Sequence, residues 1–165
     1  MNDTALNGIA NMAGTSRVWI FQSSTLMEGE IKRSIEQSFQ EFLAGWAAHG
    51  SSLAAGFEIV HDRFLVLAVD ESVAMATGCS IDKMMKLVQH VDDEFHLDLL
   101  NRMKVAYIDN ENVVECDVNS FREMLEAGTA NAQTRVFNNL VQSLAEYRAG
   151  WETTVAQSWH ANLLP

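Results

Sequence analysis

The chain has 165 residues, 48% of them hydrophobic and 20% charged, so it can bury a core and is not a disordered tail. With 11 Lys and Arg against 22 Asp and Glu, its formal net charge is −11. That excludes partners held mainly through phosphates, since counterion release needs clustered Lys and Arg. No stretch of apolar residues is long enough for a spanning helix, and the opening MNDTALNGIANMAGTSRVW has no basic region followed by an apolar one. Cys79 and Cys116 lie far apart without metal spacing, which suits free thiols in a reducing cytoplasm.

Residues 1–16 are rich in Asn, Ala and Gly without a steady period and read as a loosely ordered leader before one α+β domain over 17–165. From Arg17, RVWIF reads as a buried strand. Thr25 and Glu28 form a T-x-x-E capping box, after which Ile31, Ile35, Phe39, Phe42 and Trp46 make one apolar helical stripe closed by His49 and Gly50. A hairpin follows, LAAGFEIV (53–60) and RFLVLAV (63–69), turning at His61-Asp62. A second helix starts with Ser80 as N-cap and carries Ile81, Met84, Val88, Val91 and Phe95 on its apolar side.

MKVAYID (103–109) and VVEC (113–116) form a further hairpin around Asn110-Glu111, then a helix spans about 118–127 and stops at Gly128. TRVF (134–137) reads as a strand, and 141–163 as mostly helical. The order β-α-β-β-α-β over 17–109 predicts a ferredoxin-like core, with 110–165 as a C-terminal β/α extension. Val18 and Ile20 point one way and Trp19 and Phe21 the other, so both sheet faces are apolar and the second needs a cover. The C-terminal extension is the expected cover, and homodimerisation through the sheet is the alternative.

Several segments are similar to known proteins. RVWIFQSS, FEIVHDRFLVLAVDES, GCSID, VFNNLV and QSWH resemble a family of small bacterial proteins commonly labelled "ABC transporter ATPase". The resemblance implies that label but no mechanism. A P-loop needs G-x-x-x-x-G-K-[ST], and none of the nine glycines precedes a lysine, so ATPase activity is not expected. In layout, residues 107–151 are similar to GYF-type modules, which bind proline-rich peptides, although the G-Y-F triplet is missing.

With strands one and three side by side and parallel, their carboxyl ends would share one edge, where ligands of open α/β sheets tend to bind. Gln22, Ser23, Ser24, Asp70, Glu71, Ser72, Gly78, Cys79, Ser80 and Asp82 would then gather there. Cys79 at a helix start is the candidate nucleophile, with the amides of Gly78 and Ser80 able to hold an oxyanion. Asp70 and Ser72 are the other catalytic candidates, while Gln22, Ser24, Glu71, Gly78, Ser80, Asp82, Asn138 and Asn139 are candidates for binding. The acidic neighbours of Cys79 oppose a thiolate, and no histidine is placed by sequence as its base. Asp70, Glu71 and Asp82 could alternatively take a divalent cation, and His90, Glu94 and His96 resemble ligands, but neither set has a metal motif's spacing, so no metal site is assigned. Two functions stand against each other. One is a non-enzymatic binding protein with a protein or small-molecule partner, neither nucleic acid nor membrane. The other is a small enzyme using the 70–82 loop. The sequence specifies no cofactor for either.

Overall fold

The computed structural model describes residues 8–165, and the chain divides into two compact units, 1–100 with 142–145, and 101–141 with 146–165. The proposed leader lies outside the described residues over 1–7. Over 8–16 it is not loose, because Ile9 and Ser16 are buried. Main-chain bonds also run from Leu144 N to Ser16 O (2.8 Å) and from Ala145 N to Gly14 O (2.8 Å).

In the first unit, β1 (Arg17–Gln22) leads to α1 (Gly29–Gly45), a small hairpin of β2 (Ala47–Ala48) and β3 (Ser51–Ser52), then β4 (Ala54–Val60) and β5 (Phe64–Asp70). α2 (Gly78–Phe95) follows. The sheet order is β1-β5-β4, antiparallel throughout, with Arg17 opposite Val69 and Ala54 opposite Asp70. His61 and Asp62, with φ of 53° and 52°, make the tight reversal between β4 and β5. Ile35, Phe39 and Leu43 of α1 and Met84, Val88 and Val91 of α2 form one core with Phe21, Phe57, Leu65, Leu67 and Val69. Both helices therefore cover the same sheet face.

The expected α1 boundaries need correction at each end. Glu28 is the N-cap and provides no side-chain cap bond, while the Thr25 hydroxyl donates to the His96 carbonyl (3.3 Å). At the other end the helix stops at Gly45, because Trp46 turns extended and buries its ring, donating Nε1–H to the Ser80 carbonyl (2.8 Å). His49 and Gly50 form the β2–β3 turn instead, at φ of 51° and 79°.

The second unit holds β6 (Lys104–Asp109), β7 (Asn112–Asp117), α3 (Val118–Ala127), β8 (Arg135–Phe137) and β9 (Glu152–Thr154), in antiparallel order β7-β6-β8-β9. α4 (Leu144–Gly150) lies between β8 and β9, and two 3₁₀ turns (Val155–Gln157, Trp159–Leu163) end the chain, so the expected long terminal helix is broken. α3 has the expected span, with Asp117 accepting the Ser120 N–H at its start (2.9 Å) and Gly128 at φ 79° ending it. Val105, Phe121, Leu125, Val136, Val155 and Leu163 form its core.

The fold is mixed α and β with antiparallel sheets, and two features of the ferredoxin-like expectation need correction. Strand 104–109 pairs with β7 and β8, not with the first sheet. The free edge of β1 is bridged instead at Arg17–Ser143, with Val18 N bonded to Gln142 O (3.1 Å). Strands one and three are neighbours but antiparallel. The cause is the tight turn at 61–62, which reverses the chain after α1 has returned it parallel to β1 in β4. The face away from the helices carries Phe64, Val66 and Ala68, which are buried.

Candidate functional site

Antiparallel pairing separates the residues that were expected at one edge. Gln22 lies opposite Phe64 and Asp70 opposite Ala54, so these two groups occupy opposite ends of the sheet, roughly 20 Å apart along the strands. The Gln22 end is a structural tie. Ser23 is fully buried, and its hydroxyl lies within hydrogen-bonding distance of two carbonyls, those of Thr25 (2.5 Å) and Leu97 (3.2 Å). Ser24 N–H donates to the Leu97 carbonyl (2.8 Å), and Arg63 donates to the carbonyls of Ser23 (3.0 Å) and Ser24 (3.3 Å). These polar groups are spent on joining β1 to the end of α2.

The 70–82 segment does hold Asp70, Glu71, Ser72, Gly78, Cys79, Ser80 and Asp82 close in the chain, and its bonds are mostly internal. Asp70 accepts the Ser72 N–H (3.0 Å), and that bond with the Ser72 hydroxyl holds its carboxyl below the usual carboxylate range. Glu71 accepts the Ala76 N–H (2.9 Å). Ser80 is not the N-cap. Thr77 is, accepting the Ser80 N–H (3.2 Å), while the Ser80 hydroxyl oxygen accepts the Thr77 N–H (2.7 Å) in a reciprocal box. Thr77→Ala removes half of that box and is expected to lower stability by about 1 kcal/mol, read as a shifted urea midpoint at unchanged slope.

Cys79 is an exposed free thiol on the first turn of α2, and Asp82 is exposed beyond it. Cys116, on β7, is half-buried, and burial with the charges of Asp117 and Glu115 pushes its thiol pKa up. Between Ser72 and Thr77 the loop alternates. Ala74 and Ala76 pack against the first core, whereas Val73 is 90% exposed and Met75 69% exposed. The sequence signal for this was the run V-A-M-A, which periodicity alone leaves without a direction.

Asn138 and Asn139 belong to the second unit. Asn138 accepts the Leu140 N–H (3.1 Å), and Asn139 accepts the Trp151 indole N–H (2.9 Å), so both brace the turn that seats Trp151. Asn138 also lines an open cleft of about 420 Å³ with Leu140, Glu146 and Gln157. His90 and Glu94 form an exposed pair at 3.5 Å, and His96 is the left-handed C-cap of α2. Among the described residues no three His, Cys, Asp or Glu side chains are grouped to hold a metal ion.

No family model matches the chain. Neither a curated protein nor a solved structure matches it.

A further polar group stands apart from these, His160 of the terminal QSWH segment. It is fully buried, stacked on Trp159 with ring centroids 4.0 Å apart and edge-on to Phe121 at 6.2 Å. The Ser158 hydroxyl oxygen lies 2.7 Å from His160 Nδ1 and 3.1 Å from the Thr154 carbonyl, and the imidazole tautomer sets which of the first pair donates. Nε2 is buried without a hydrogen-bond partner among the described residues. Burial lowers the His160 pKa from 6.5 to about 4.

Proposed function

We propose that the protein is a cytoplasmic, non-enzymatic interaction protein that engages a protein partner through the loop over 71–77. It would belong to the small bacterial family that its segments resemble, without the ATPase activity of that family's label. The single observation that carries the proposal is the outward placement of Val73 and Met75. Neighbouring apolar side chains left in water mark surfaces that a partner covers. The loop's polar groups are already occupied in holding its own shape, from Asp70–Ser72 through Glu71–Ala76 to the Thr77–Ser80 box. A prearranged loop loses little conformational entropy on docking, which favours affinity. The competing enzyme would use the 70–82 loop, with Cys79 as nucleophile or the acids as metal ligands, and there the side chains of Asp70, Glu71 and Ser80 already bond within the loop.

A photo-crosslinking amino acid at position 73 tests this in living cells. The expected result is a discrete protein adduct that Met75→Asp abolishes and that the same probe at exposed Glu123 does not form. Absence of an adduct at position 73, or one indifferent to Met75→Asp, overturns the proposal. Substrate turnover abolished by Cys79→Ser would overturn it in favour of the enzyme.

A further inference from the structure

β4 is an edge strand. Over Ala54–Val60 it pairs residue for residue with β5, and among the described residues it pairs with nothing on its other side. Edges of this kind are normally blunted by proline, lysine, a bulge or shortness. AAGFEIV has seven residues, no proline or lysine and an uninterrupted register, and Glu58 is its one charged residue. Alongside that edge runs a groove of about 280 Å³, walled by Lys32, Glu36 and Gln40 of α1 and by Phe57, Glu58 and Ile59 of β4. The three α1 positions are four apart and so share one helix face.

The groove's charge is one-sided. Among the described residues Lys32 is its only cation, and that ammonium is engaged by Asp62 at 2.8 Å. Glu36 and Glu58 have no ion-pair partner among the described residues. Glu58 is also partly desolvated, which raises its pKa above the usual value. A cation brought beside it would offset that cost.

We infer that the groove between α1 and β4 receives an extended, basic segment of a partner protein, which adds to the sheet as a further strand along β4 and sets Lys or Arg side chains against Glu36 and Glu58. Main-chain bonds to the open edge would supply affinity, and the two carboxylates would select for positive charge. The chain's own residues do not fit this description. The first seven residues, which precede Gly8 at the groove wall, hold Asp3 and no Lys or Arg. A second copy pairing β4 with β4 would bring another Glu58 and a further net charge of −11. Like charges facing one another across strands oppose such pairing. This surface is separate from the 71–77 loop, and either can fail without the other.

The test is amide NMR of the full chain titrated with a synthetic peptide of about seven residues, valines around two adjacent central lysines, because adjacent side chains of a strand point to opposite faces and Glu58, opposite Val66, faces away from α1 and Glu36. The expected result is shifts confined to amides of 32–40 and 54–60, with cross-strand NOEs between peptide and β4. Glu36→Lys with Glu58→Lys is expected to weaken binding by roughly three- to thirty-fold. A peptide with proline at its central position is expected to lose the NOEs and most of the affinity, because it cannot donate to the strand edge. No change in β4 amides at millimolar peptide overturns the inference, and so does equal binding of the proline peptide. NOEs in the free protein from β4 to residues 1–7, or to β4 of a second copy, would also overturn it by assigning the edge to the chain itself.

Discussion

Phe39→Ala is expected to lower the unfolding free energy by about 3–5 kcal/mol, the largest single-residue effect on the first unit. Phe39 has no exposed surface and sits in the middle of α1, 5.8 Å from the ring of Phe57, among Ile35, Leu43, Leu65 and Met84. Removing the ring forfeits its transfer free energy and leaves a cavity that its neighbours cannot close. The sheet beneath is held by the β5 register, and α1 is fixed at its far end by Trp46, whose indole donates to Ser80. Alanine's better helix propensity returns only a few tenths of a kcal/mol. Phe42→Ala on the half-buried flank, beside Trp46 at 5.2 Å, should cost clearly less. Urea titration of both variants checks this, with the midpoint shifting at constant slope. Equal costs for Phe39 and Phe42 would contradict the assignment of Phe39 to the centre of the core.

The second large effect is a loss of stability in mild acid that runs through His160. Its folded pKa of about 4 lies below the ordinary 6.5, so between those values the unfolded chain binds the proton and the native state does not. Stability therefore falls as pH drops from about 6.5 to 4, by on the order of 3 kcal/mol from this residue alone. Protonation would place N–H on Nε2, which has no acceptor, and a charge between Trp159 and Phe121. His160→Phe removes the titration while keeping a planar ring against Phe121. The difference between wild-type and variant stability curves, measured by urea denaturation from pH 7 to 4, isolates the histidine from the many carboxylates that also titrate. A wild-type curve parallel to the variant's over that interval would show that His160 is not buried as described.

Much of the local structure was legible in the residues. The hairpin turns at His61-Asp62 and Asn110-Glu111, the stop at Gly128 and the apolar sides of α1 and α2 follow from backbone preferences and periodicities that act over a few residues. The chemistry of the proposed site was less legible. Side chains that looked reactive in a list, such as Ser80, Asn138 and Asn139, turn out to cap a helix or brace a turn, because polar groups near element ends satisfy main-chain partners first.

By itself, then, the sequence determined the main elements up to residue 137 and their apolar faces, the net acidity and the absence of a phosphate-binding motif. Only the tertiary structure decided the direction of β5 against β1, the removal of strand 104–109 to the second sheet, and the exposure of Val73 and Met75. The reason is range. Turn and helix preferences are settled by neighbours in the chain, whereas a strand's partner depends on which distant edge is free when it arrives. At the edge of β1 that position went to residues 142–145, more than thirty positions beyond the strand that local pattern had nominated.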